Sequence, residues 1–134
     1  MTASVADRIW NRAVLESDPA DSVDLMDGDR ALRALLLAHG LIMNGGVFHC
    51  VHEVLSESEL EAAIEGYAYF ELHDASATLR DAAVIEEPWA EPQEQASLDA
   101  DARYAAAIPT DAAVVERFEF RLAAHPEDFA PTDR

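Results

Sequence analysis

The sequence predicts an all-α protein: a compact single-domain helical bundle of about six to seven helices that is not a coiled coil. Three observations carry this expectation. Apolar residues recur at three- and four-residue spacing along most of the chain, short breaks rich in Pro, Gly, Asp and Ser separate these segments, and no stretch of strand length alternates polar and apolar residues. The 134 residues suit one domain, 1–134, large enough for a real hydrophobic core. Half of the residues are hydrophobic, which sets the chain apart from disordered sequences of low hydrophobicity and high charge.

The first helix is expected from about Ser4 to Glu16, with Ser4 as N-cap and Ala6, Ile9, Trp10, Ala13 and Val14 on one face. SDPADSVDLMDGD then reads as a loop, so residues 1–26 form an N-terminal helix and loop. A second helix, from about Asp29 to Met43, is apolar on most sides after its first turn, the pattern of a central helix surrounded by others. Asn44-Gly45-Gly46 interrupts it, and a short helix from Val47 to Leu55 follows. Ser56 stands three residues before Glu59, a capping box for a helix that carries Leu60, Ala63, Ile64, Tyr67 and Phe70 and ends near His73.

Asp74 is placed to cap the next helix, whose Ala75, Leu79, Ala82 and Ala83 share a face. EEPWAEPQE, with Pro88 and Pro92 bracketing Trp89, reads as a loop pinned by the indole. A short helix through SLDADARYAAAI comes next, and Pro109-Thr110 introduces the last one, with Val114, Val115, Phe118 and Leu122 inward and Pro126 as its stop. Tyr67, Tyr69 and Phe70 belong to the core, with Tyr69 the nearest of the three to the surface, and Trp89 is the candidate exposed contact residue.

Charge narrows the function classes. The net charge of −18 comes from 27 acids against nine basic residues, all of them Arg. Such a surface repels phosphate backbones and anionic lipid, so no direct nucleic acid and no membrane are expected as partners, and a basic protein is. No stretch approaches the about eighteen apolar residues of a spanning helix, and no targeting segment is seen. A single cysteine, Cys50, excludes an intramolecular disulfide and suits a reducing cytoplasm.

The acids are unevenly placed: residues 53–101 hold 14 Asp and Glu against Arg80 alone, a block charge of −13. Glu57, Glu61 and Glu65, four apart, fall on one helix face about 5–6 Å from one another. Two readings stand side by side. The acids solvate exposed faces, or they form a recognition surface whose spacing resembles that of phosphates along a nucleic-acid strand. On the second reading the surface residues are Glu57, Glu61, Glu65, Glu71, Asp81, Glu86, Glu87, Glu91 and Glu94.

LIMNGGVFHCVHEV, SELEAAIEGYAYFELHDASATLRDAAV, the downstream Asp101 and Tyr104, and the terminal HPEDF together resemble the DNA-mimic protein 19 family over roughly residues 27–129. The motif residues are Asn44, Gly45, Gly46, Pro126 and Phe129, and they carry structure, not chemistry. In that family the fold is all-helical, and the best-known member is an acidic dimer that resembles DNA and binds a transcription factor. The resemblance therefore implies an all-helical fold, a homodimer as one option, and a DNA-binding regulator as partner. The chain departs from the family pattern at Cys50, Val51, His52 and Glu53, where an aromatic-rich continuation usually stands.

Chemical motifs are sparse. His49 and His52 lie three apart with Glu53 beside them, and His39 or His73 could approach them in space, which raises a metal-dependent protein as the reading from a different class. A metal needs three or four converging ligands, and the sequence shows one pair. Cys50 between the two histidines suggests a nucleophile and base, without an evident orienting group. Asn44-Gly45-Gly46 suits either a backbone nest for an anion or a turn between helices. The sequence therefore favours a non-catalytic acidic protein-binding module without cofactor. An immunity-type inhibitor of a basic nuclease would rest on the same physics.

Overall fold

The computed structural model describes residues 4–15 and 25–132; most of the loop expected after the first helix lies outside them. The described residues form six α-helices and no strand. These are α1 (Val5–Leu15), α2 (Asp27–Gly45), α3 (Glu57–Tyr69), α4 (His73–Ala83), α5 (Glu94–Ala107) and α6 (Asp111–Ala124). A π-helix, His49–Val54, joins α2 to α3, and 3-10 turns cover Glu91–Gln93 and Pro126–Asp128.

α2 is the hub, packing against α1, α3 and the π-helix, while α4 bridges α3, the π-helix and α5. The periodicity of α2 explains this. Leu32, Leu35, Ala38 and Ile42, three and four apart, are buried and meet Tyr67, Leu79, Tyr104, Val114 and Phe118 in one core. α2 is nevertheless not surrounded, contrary to expectation. Leu37 and Met43 are 46% and 64% exposed and Gly40 is exposed between them, because α1, α3, the π-helix and the last 3-10 turn, the main elements packed on α2, leave that side uncovered.

The caps follow the chemistry of the first turns. The Asp7 amide donates to Ser4 Oγ at 3.0 Å at the start of α1. Ser56 Oγ accepts from the Glu59 amide while Glu59 accepts from the Ser56 amide at 2.8 Å, the expected capping box of α3. α2 starts earlier than its apolar pattern, at Asp27, because Asp29 reaches back to accept from the Met26 amide. α3 also ends earlier than expected, at Tyr69. Glu71 adopts a left-handed backbone (φ 61°), and the Leu72 amide donates to the Tyr67 carbonyl, turning the chain. His73 therefore opens α4, and Asp74 lies in its first turn instead of capping it. α2 runs through Asn44 and Gly45, and only Gly46, at φ 93°, breaks it.

Two tethers close the bundle. Asp29, buried, pairs with Arg12 of α1 and accepts from the Ala130 amide at 2.8 Å, while Arg12 donates to the carbonyls of Ala130 and Pro131. Phe129 then enters an aromatic cluster, 5.6 Å from Phe118 and 6.4 Å from Phe70 between ring centroids. Where α3 crosses α2, Gly66 is required: a Cβ there would stand 2.6 Å from the Ala31 carbonyl oxygen.

Two glycine substitutions should have opposite signs in urea unfolding. Gly66→Ala forces backbone against backbone and should cost about 1–3 kcal/mol. Gly40→Ala meets nothing within 4 Å and should stabilise α2 by about 0.5–1 kcal/mol. Asp29→Ala, which strands Arg12 and two amides, should cost about 3–5 kcal/mol by the same measurement.

Candidate functional site

All nine acids expected on a recognition surface are exposed. Glu57, Glu61 and Glu65 lie on α3, one turn apart. Asp81 lies on α4, Glu86 and Glu87 in the loop after it, Glu91 in the 3-10 turn and Glu94 at the start of α5. Glu71 sits apart from these, at the turn between α3 and α4. Of the nine, Asp81 alone meets a counter-charge among the described residues, Arg103 on α5 at 3.1 Å. The rest face solvent as unneutralised carboxylates.

Trp89 stands among these acids, between Glu87 and Glu91. It is 58% exposed, and its indole meets the buried Phe48 ring edge-on at 6.2 Å, so the loop is pinned while most of the indole remains open. Glu87 beside it is also left-handed, at φ 49°. Tyr67 and Phe70 are buried and Tyr69 is half-buried, the order expected from the sequence.

The histidine and cysteine cluster does not converge. His49 bonds to Glu53 at 2.7 Å one turn away, whereas His52 Nε2 donates to the Ala82 carbonyl of α4 at 2.9 Å. Cys50 points between them into the core, with Sγ 3.8 Å from the Ala38 carbonyl, and burial pushes its thiol up to about 12. A base beside a reactive thiolate is therefore not assembled. No group of three or more His, Cys, Asp or Glu among the described residues is placed to hold a metal ion.

The family-motif residues have structural places. Asn44 and Gly45 end α2, with Gly45 against the His49 ring. The Val47 amide just past Gly46 donates to Asp101 Oδ1 of α5 at 2.8 Å. The protein's own carboxylate thus occupies the amide an anion nest would use. Pro126 starts the last 3-10 turn, which delivers Asp128 to Tyr69 and Arg121.

Two further arrangements carry no local signal in the sequence. One is a chain of side chains that runs from the exposed carboxylate of Asp111 into the core: Asp111 to His39 Nε2 at 2.8 Å, His39 Nδ1 to the Tyr104 hydroxyl at 2.6 Å, and Tyr104 to the Tyr67 hydroxyl at 2.6 Å. A carboxylate only accepts, so His39 Nε2 carries a proton. With a neutral ring Nδ1 then accepts from Tyr104, and Tyr67 must donate to Tyr104. Burial raises both phenols above their ordinary range, so each remains a neutral hydrogen-bonding group. The second arrangement is a cleft of about 500 Å³ where Glu71 and Asp74 face Glu116 and Phe120 of α6. Glu116 and Phe120 lie outside the acidic block of residues 53–101, and Asp74 within it reads from sequence only as a helix cap, so nothing local marks the three as partners of Glu71.

Among the described residues, no helix is long and apolar enough to cross a membrane. No family model, curated protein or solved structure matches the chain.

Hydrogen bonds from Tyr69 and Arg121 hold the Asp128 carboxyl below its ordinary 3.8. A depressed folded-state value contributes stability that is present above the ordinary value and lost as pH falls through the folded one. The urea midpoint of the native chain should therefore fall more steeply from about pH 6 to about pH 3 than that of Asp128→Asn; equal slopes would show that Asp128 is not linked to folding. Tyr67→Phe removes the terminal donor of the buried chain and should cost about 1–3 kcal/mol.

Proposed function

We propose that the protein is a non-catalytic, acidic binding module that engages a basic protein, in the cytoplasm, through carboxylates drawn mainly from residues 53–101. The observation that carries this reading is the exposed, unneutralised state of the acids on α3 and on the segment from Glu86 to Glu94. Like charges one turn apart destabilise a helix, and Glu57, Glu61 and Glu65 repeat that arrangement without an intervening cation. A surface of this kind steers a cationic partner from a distance and then receives its Arg and Lys side chains at contact. The half-exposed indole of Trp89 supplies an apolar anchor within the same acidic segment.

A DNA-binding regulator is the partner we favour, because its phosphate-binding surface concentrates Lys and Arg, and the resemblance to the DNA-mimic protein 19 family points the same way. A basic nuclease neutralised by an immunity-type inhibitor satisfies the same electrostatics. Gene neighbourhood separates these two partners.

The immobilised chain, exposed to lysate of its source cell at low salt and eluted by a salt gradient, should release a discrete basic protein at intermediate salt, since exposed attractions are screened within about 8 Å at physiological ionic strength. The Glu57→Lys, Glu61→Lys, Glu65→Lys variant should lose that protein, with mass spectrometry as the readout. Elution of many basic proteins together at the first salt step, unchanged in the variant, would reduce the acids to a solubility role.

A further inference from the structure

The cleft between the α3–α4 turn and α6 differs from the rest of the acidic surface in having walls. Ala113, Glu116, Arg117 and Phe120 occupy successive turns of one face of α6, and that face looks across at Glu71, Asp74 and the start of α4, over a floor that includes Leu72, Ala75 and Ala107. Phe120 is 61% exposed although it is a large aromatic on a helix whose opposite face, Val114 and Phe118, is fully buried. No packing need of this chain accounts for a phenyl ring in that position.

The charges in the cleft are unbalanced and unpaired. The carboxylates of Glu71, Asp74 and Glu116 make no ion pair or side-chain hydrogen bond with another described residue, and the cleft's one arginine, Arg117, neutralises none of them. The last residue of α5, Ala107, and the first turn of α4 both border the cleft. Their opposite helix-end charges roughly cancel, so the side chains decide its sign. An aromatic face flanked by carboxylates matches one side chain in particular. The planar guanidinium of arginine stacks on a ring while donating in two directions to carboxylates, which the compact ammonium of lysine does less well.

We infer that this cleft receives an arginine side chain of a basic protein partner, stacked on Phe120 and held by Glu71, Asp74 and Glu116. The inference rests on the reading of the chain as an acidic binding module and says where that partner anchors. It also extends the binding surface beyond residues 53–101, to α6.

The probe is a labelled peptide of four arginines, titrated at low salt into the full chain while backbone amide resonances are followed, with a four-lysine peptide as its comparison. Shifts should cluster on residues 71–75 and 113–120. Phe120→Ala should weaken the arginine peptide about threefold, and the paired substitution Glu71→Gln, Glu116→Gln about tenfold. The lysine peptide should bind about threefold more weakly than the arginine peptide to the native chain, and this preference should vanish in Phe120→Ala. All the substituted side chains are exposed, so the variants keep the fold, which circular dichroism verifies. Shifts confined to α3 around Glu57, Glu61 and Glu65, with both variants binding as the native chain does, would overturn the cleft and leave the acidic-surface reading standing. Failure of both peptides to bind at low salt would overturn both.

Discussion

The buried carboxylate of Asp29 is the junction on which the arrangement of the helices depends. At 4% exposure it has lost its water, and an ionised group so placed is tolerated only when its oxygens are fully engaged. They are engaged by segments remote in sequence: Arg12 lies 17 residues before it and Ala130 101 residues after. One side chain thereby fixes α1 against the start of α2 and draws the C-terminal segment onto both. Once residue 130 is held there, Phe129 must enter the ring cluster with Phe70 and Phe118, and Asp128 comes within reach of Tyr69 and Arg121. The contact of α6 with α3 is in this sense a consequence of a bond made at α2.

This use of charge explains how the surface acquires its asymmetry. Arg12, Arg103 and Arg121 are committed to carboxylates of the chain itself, and Arg30 meets Asp27 within the first turn of α2. Few cations remain to offset the carboxylates of the middle helices. Self-repulsion among those carboxylates opposes compactness, and the core and the buried His39–Tyr104–Tyr67 chain must outweigh it. Binding a cation relieves the same repulsion, so a surface that burdens the free protein favours a complex.

Much of the architecture was legible locally. The Ser4 and Ser56 caps, the inward stripe of Val114 and Phe118, and the burial order of Tyr67, Tyr69 and Phe70 depend on residues within one or two turns, and each stands as the pattern implied. The errors were of another kind. His73 looked like the end of a helix and begins one, because the left-handed backbone of Glu71 carries no compositional sign such as glycine. The partners of His49, Cys50 and His52 were beyond local reading as well, and the three point to different places. A π-helix rotates successive side chains by less than an α-helix does, and each residue's partner lies on another element.

Composition and periodicity are enough to establish that the chain is helical, that it has one core, and that its charge is negative and concentrated in the middle. Those properties are sums or short-range periodicities. It takes the docked helices to show that Asp101 caps the Gly46 turn, that His39 joins Asp111 to two tyrosines, and that Glu71 and Asp74 face Glu116 and Phe120 across a cleft. These groups are brought together by helix docking across loops, and nothing in the local pattern around each residue encodes which distant residue it will meet.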